Sequence, residues 1–480
     1  MLFPTFPFVF GFLPITLAIF WFFYKQSNNR AVAILLIASL VFYILPNWLH
    51  AHVILASIVV NYILSKYIQS SVIHAKKLLT LGILYNLSII AYFKYSFFFG
   101  EIFQVFTGVE LGFSQYILPV GISFYTFQQI AYLVDCYKER NVNYNFWQYA
   151  LFITFFPQLI AGPIVHHKEL MPQITQLATK KIRLDVFVAG LCIFIFGLAK
   201  KLILADNLEK TATDVFVLAD GGANISTLSA WLGSLSYTLQ LYFDFSAYSD
   251  MAIGLGLLFG IKLPINFFSP YKSESIIEFW RRWHITLSTF LKEYLYIPLG
   301  GNRKGNRQFN LMMTMLLGGL WHGAGINFII WGGLHGLYLV INHGYQQIAI
   351  KKNFKLPKSI SILLTMLMVI IAWVFFRAET MAGALQILKS MFVMTSANNL
   401  SFAPYTVLLI IIGFAITQCL PNVSQLFNYE GLKTASKWEP LEALRINCYG
   451  RCNALLLIAV LFAGALMFMA QPTVFIYFNF

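Results

Sequence analysis

Charge is the scarcest property of this chain. Only 11% of its 480 residues are charged, and 19 acidic residues stand against 33 lysines and arginines. Soluble domains carry about 25% charged residues. With 59% of its residues hydrophobic, the chain has more apolar surface than one aqueous core absorbs. Lipid is the solvent that accepts the surplus. Cysteine is also sparse. The five (Cys136, Cys192, Cys419, Cys448 and Cys452) form no ligand pattern with histidine. Cys448 and Cys452 stand one helical turn apart and read as ordinary helix residues, so no metal centre is expected. Common soluble-enzyme signatures are missing: there is no G-x-S-x-G nucleophile elbow, no P-loop, and no histidine followed five positions later by aspartate. Internal repeats, low-complexity tracts and a separate soluble domain are absent too, so 1–480 is read as one membrane domain.

What fills the sequence instead is apolar runs, at roughly 6–23, 31–45, 53–68, 78–99, 117–134, 146–164, 186–204, 228–261, 309–341, 360–376, 404–420 and 453–470. A full span needs about 20 residues. The pattern predicts an all-α, polytopic integral membrane protein of about a dozen helical segments, the shorter runs being tilted, partial or re-entrant. The first run lacks a basic leader and a small-residue cleavage site, and reads as a retained anchor. The formal charge of +14 lies in short loops between the runs. That is the positive-inside pattern, so no nucleic-acid partner is expected. Lys25 and Arg30 after the first run place that loop in the cytoplasm.

Two runs carry basic loops at both ends, which one straight crossing cannot satisfy. The 146–164 run is broken by Pro157 and Gly162-Pro163, both helix breakers. The 309–341 run is broken at Trp321-His322-Gly323-Ala324-Gly325. Both are read as re-entrant, a geometry tolerated only where protein or water lines it. From Phe309 to His322 the rise is about 20 Å, short of a ~30 Å hydrocarbon core. His322 is therefore expected beyond the midplane, in a protein-lined cavity. The polar interruption at 262–307 mixes charges with Phe, Trp and Tyr, and is expected to form amphipathic helices at the cytoplasmic interface.

An ionisable side chain within a membrane segment is a functional hypothesis by default. Neutral imidazole at His322 can take a proton from a hydroxyl attacking a thioester; a histidine hydrogen-bonded across a helix interface is the alternative. His284 follows Arg281 and Arg282. Guanidinium groups grip phosphate, while the competing reading is a Trp–Arg anchor at headgroup depth. Asp244 and Asp250, six apart, fall on different faces of a helix, which disfavours an acid/base couple. Each reads as capping a helix break or orienting a histidine or arginine. The apolar tail Phe475-Ile476-Tyr477-Phe478-Asn479-Phe480 is too short to span. It either folds back into a cavity with the Tyr477 hydroxyl or sits in an interfacial aromatic belt.

These segments resemble the alginate O-acetyltransferase branch of the membrane-bound O-acyltransferase superfamily, with peptidoglycan O-acetyltransferases and teichoic acid D-alanyl transferases as related members. The resemblance runs over nearly the whole chain. It includes the opening Phe8–Pro14 region, Pro119–Gln128, Phe156–Pro163, Asp244–Ala252, Phe279–Ser288, Tyr296–Asn302 and Gly319–Gly323. It implies an irregular ring of helices with re-entrant and interfacial segments and a funnel reaching the catalytic histidine, His322. His284 matches the family's second histidine. Arg281, Arg282, Asp244, Asp250, Gln158 and Trp321 fall within the matching motifs and are expected to line the substrate path. Family likeness also implies that 471–480 is an acyl-relay tail, with Tyr477 taking the acyl group. Asn479 departs from the Gln or Arg of related tails and leaves Tyr477 intact. The resemblance further implies acetyl-CoA as donor, no resident cofactor, a separate periplasmic or extracellular O-acetyltransferase as partner, and residence in a bacterial cytoplasmic membrane. The polymer stays open. So do a D-alanyl donor on a carrier protein, a transporter without covalent chemistry, and a structural membrane scaffold.

Overall fold

A computed structural model describes residues 2–46, 48–112, 116–179, 181–394, 404–429, 452–471 and 475–476. The described residues form helices and connecting turns, with no strand among them. Four helices are long and apolar enough to cross a bilayer: Trp48–Ser70, Ala75–Thr107, Leu184–Asp220 and Lys358–Arg377. Pro7–Phe23, Asn28–Ile44, Pro404–Cys419 and Leu455–Phe468 are shorter apolar helices. The chain is an all-α membrane protein.

Its centre is the Thr227–Leu258 helix, whose side chains are buried on nearly every face. A helix surrounded by protein needs no polar stripe, which is why this stretch shows no amphipathic pattern. It packs on the Leu184–Asp220 helix along a seam of small residues. A Cβ on Gly254 would stand 2.6 Å from the Gly190 carbonyl oxygen, and one on Gly197 would stand 2.8 Å from that of Ala247. Such backbone contact suits membrane helices, whose association relies on close packing rather than on water exclusion.

The seam continues into two ion pairs. A π-helical turn at Lys200–Ala205 lets two adjacent lysines address the central helix. Lys200 Nζ lies 2.5 Å from Asp250. Lys201 Nζ lies 2.6 Å from Asp244 and 2.7 Å from Asp206. This corrects the expectation for the two aspartates. The central helix runs unbroken past both, so neither caps a break. Their first ionic partners are lysines from a neighbouring helix, not a histidine or arginine.

The two expected interruptions are present. Helix Phe146–Thr154 gives way to a single turn, Phe156–Leu159, with Pro157 in it. Helix Arg307–His322 stops at Gly323, and Ile326–Lys352 returns alongside it. This hairpin is tight because glycines face each other across it. A Cβ on Gly319 would meet the Phe328 carbonyl oxygen at 2.2 Å, and one on Gly332 would meet that of Met315 at 2.3 Å.

The 262–307 segment is expected as amphipathic helices at the cytoplasmic interface, and short helices are what it forms. Its short helices Ile276–Arg282 and Ile285–Leu291 turn inward, burying Phe279, Trp283, His284 and Leu287. Only part of its charged set stays outside. Long aromatic side chains spaced one turn apart find more apolar surface in the protein interior than a headgroup layer offers.

Candidate active site

His322 is the last residue of its helix, and the chain is extended at Gly323. The ring is 6% exposed. Ring centroids of Trp321, Trp331 and Phe376 stand 4.8, 4.9 and 5.1 Å from it. Trp321 in turn stacks on Phe127 at 5.1 Å, and Phe127 on Phe290 at 4.1 Å. Beyond His322, Ile326 is exposed.

The end of this helix is held from a distance. Lys94 Nζ donates to the carbonyls of Trp321 and His322, at 2.6 and 2.9 Å. The Tyr95 hydroxyl donates to that of Leu320 at 2.6 Å. Both residues belong to a π-helical turn, Ala91–Tyr95, inside the Ala75–Thr107 span. Nothing in the family motifs points to Lys94. Its one sequence signal is a lone cation inside an apolar run, which is expensive unless something polar receives it.

His284 sits between two short helices with φ at +43°, a left-handed conformation that costs a non-glycine residue about 1–3 kcal/mol. Its Nδ1 lies 3.1 Å from Asn266 Oδ1. That same oxygen accepts the backbone N–H and the hydroxyl of Thr286, at 3.2 and 2.8 Å. The Thr286 amide can only donate, so it fixes the Asn266 side chain with its oxygen toward the histidine. Nδ1 therefore carries the hydrogen when the ring is neutral. Asn266 has no distinguishing sequence context, and only the tertiary contact reveals it.

A cavity of about 1250 Å³ opens beside these residues. Arg281, Lys292 and Lys355 line it, and among the described residues none of the three makes an ion pair. Arg282 also lines it, but its guanidinium is committed to Glu278 at 2.6 Å. The two arginines thus play different parts. Glu169 lines the same cavity. Burial raises its carboxyl above the usual carboxylate range, with Glu293 pushing the same way against the opposing effect of His166. Trp280 and Phe290 form the inner wall. His322 does not line this cavity. One aromatic layer intervenes, since Trp280 contacts Trp331 and Trp331 contacts His322. His335, a third interior histidine, accepts from Trp280 Nε1 at 3.3 Å.

Asp135, His166 and His167 cluster on the cavity's flank with metal-ligand spacing. Their hydrogen bonds argue against a chelate. His166 Nδ1 accepts the Lys168 amide at 3.2 Å, capping the His167–Ile174 helix. Nε2 must then carry the ring hydrogen, and it faces Asp135 at 2.7 Å. An Nε2–H donor has no lone pair for an ion.

The remaining expected residues fall elsewhere. Gln158 is buried and donates to the Phe152 carbonyl at 2.7 Å, away from the cavity lining. Tyr477 lies outside the described residues, but the two residues before it do not. The Ile476 amide donates to Asp244 at 2.8 Å. Phe475 is 2% exposed and packs on Tyr248 at 4.7 Å and Phe245 at 6.2 Å. Phe245 meets the His284 ring edge-on at 4.7 Å. Phe475 and Ile476 are thus buried on the Asp244 side of the central helix.

The membrane-bound O-acyltransferase family model matches residues 12–382. The chain belongs to that family. It is 38% identical to a peptidoglycan O-acetyltransferase of Helicobacter pylori, over 100% of this chain and 98% of the relative. It is 41% identical to a probable alginate O-acetylase of Pseudomonas aeruginosa, over 82% and 75%. A teichoic acid D-alanyltransferase of Streptococcus thermophilus is 27% identical over 47% of this chain and 57% of its own length. This member of the family is thus an O-acyltransferase.

Proposed function

We propose that this acyltransferase takes acetyl from acetyl-CoA on the cytosolic side of a bacterial cytoplasmic membrane and delivers it for O-acetylation of an extracytoplasmic polysaccharide. In this reading His322 is the general base and Tyr477 the relay. Arg281, Lys292 and Lys355 receive the donor's phosphates, a task suited to unpaired cations. The pantetheine thioester passes the Phe290–Phe127–Trp321 layer toward His322. His322 removes the phenolic proton of Tyr477, and the phenolate attacks the thioester carbonyl carbon. The C–S bond breaks, and the coenzyme A thiolate takes the proton back from the imidazolium. The resulting acetyl-tyrosine is attacked by a hydroxyl nucleophile of a separate extracytoplasmic transferase, which carries acetyl to the polymer. Moving only the acyl group avoids dragging CoA phosphates through hydrocarbon.

The observation that carries this reading is the burial of Ile476 against Asp244. Ile476 is held at Asp244 inside the protein, and residue 477 begins one Cα step of about 3.8 Å further on. The test is purified protein in proteoliposomes with radiolabelled acetyl-CoA. Label should appear on the chain, be lost in Tyr477→Phe, and be lost in His322→Ala. Wild-type labelling and polymer acetylation in Tyr477→Phe, with His322 still required, would eliminate the relay.

A further inference from the structure

The carbonyl groups at the end of the His322 helix are all accounted for, and most of the partners come from one place. A helix leaves its last four C=O groups without intrahelical donors. Here Gly319 O accepts the Gly323 amide at 3.4 Å. Leu320 O accepts the Tyr95 hydroxyl, and Trp321 O and His322 O accept Lys94 Nζ. Three of these four bonds thus come from one π-helical turn on another span. Such turns inside α-helices are frequent at functional sites.

We infer that Lys94 and Tyr95 form a latch that positions His322 for acyl transfer. The latch works on the backbone. Its grip on His322 O and Trp321 O fixes the Cα that carries the imidazole, leaving only side-chain rotation. That rotation is limited in turn by Trp321, Trp331 and Phe376 around the ring. Past the ring the chain leaves the helix at Gly323 and is extended again at Gly325 before the returning arm begins. An ammonium also suits a helix C-terminus, where the macrodipole places partial negative charge. Among the described residues Lys94 has no carboxylate partner within ion-pair distance, so its charge is devoted to these carbonyls. Lys94 is on this account a positioning residue, not one that touches substrate.

The inference rests on His322 being the base, and the experiment separates the two. Lys94→Met, Lys94→Arg, Tyr95→Phe and His322→Ala are compared in proteoliposomes with acetyl-CoA, and rates are normalised to folded protein measured by size exclusion and melting. Lys94→Met should lower kcat at least tenfold with the donor KM within twofold. Lys94→Arg should recover at least a third of the wild-type rate. Tyr95→Phe, which removes a single hydroxyl, should lower kcat about threefold and remains informative if Lys94→Met does not fold. A wild-type kcat per folded molecule in Lys94→Met or in Tyr95→Phe overturns the latch, as does a loss expressed wholly in KM. Full activity in His322→Ala overturns the base assignment whatever the Lys94 variants do.

Discussion

Two adjacent glycines on the returning arm of the His322 hairpin should respond to the same substitution in opposite ways. A Cβ on Gly332 would lie 2.3 Å from the Met315 carbonyl oxygen and 3.2 Å from Leu316 Cα. The obstacle is backbone and cannot rotate aside. Restoring ordinary contact at 3.4 Å asks the two helices to separate by about 1 Å, and overpacking of this kind costs about 1–3 kcal/mol. The helix that would move ends at His322, about two turns beyond Met315. A misplacement of about 1 Å can cost roughly 100-fold in rate. A Cβ on Gly333 meets only the Leu316 Cδ2 methyl at 3.5 Å, an ordinary contact. There the alanine removes glycine's entropic cost in a helix, worth about 1 kcal/mol. Gly332→Ala should therefore lower the melting temperature and cut acyl transfer at least tenfold per folded molecule. Gly333→Ala should be as stable as the parent or slightly more so, with an unchanged rate. Melting in detergent and initial rates in proteoliposomes measure both. Equal behaviour of the two variants would refute the claim that backbone contact across the hairpin sets the position of His322.

Asp244→Asn takes one of the two carboxylates paired with the buried Lys201, so stability should fall by about 3 kcal/mol, the low end for breaking a buried pair, measured by thermal unfolding. Asp250→Asn, whose pair with Lys200 is more exposed, should lose less in the same assay. Asn266→Ala strands the Thr286 and His284 donors and should cost about 1–3 kcal/mol, with an acyl-transfer defect larger than that of Asn266→Asp. The raised carboxyl of Glu169 means the folded state binds a proton more tightly than the unfolded state. That site's contribution to stability is fully present below the usual carboxylate value and is lost as pH climbs from there through the raised one. Glu169→Gln should flatten that part of a melting-temperature profile against pH, and an unchanged slope would count against the burial argument.

Membrane character was legible from composition because burial of apolar surface in lipid needs no particular contact, only enough of it in runs of the right length. The breaks at Pro157 and around Gly323 were legible for the same local reason: proline lacks an amide hydrogen, and clustered glycines weaken a helix. The site histidines were legible because their motifs are contiguous in sequence. The roles of Asp244 and Asp250 were not. Spacing along one helix says which face each occupies, not what the facing helix brings, and the π turn that aims Lys200 and Lys201 leaves no mark in hydropathy. The residues that 262–307 buries, Phe279, Trp283 and His284 among them, were not legible, because charge and aromatic content do not say which face of a short helix meets protein.

The sequence by itself determined that this chain lives in a membrane, that it is helical, and where two of its apolar runs break; that His322 and His284 stand in acyltransferase motifs came from resemblance to a family. Membrane character, helicity and the breaks follow from the solvent preference of side chains and from local backbone chemistry. Only the tertiary structure decided what holds those groups: Lys94 and Tyr95 on the end of the His322 helix, Asn266 on His284, Lys201 and the tail on Asp244. Each of these joins residues far apart in the chain, and a hydrogen bond or ion pair is fixed by distance in space, which no sequence spacing records.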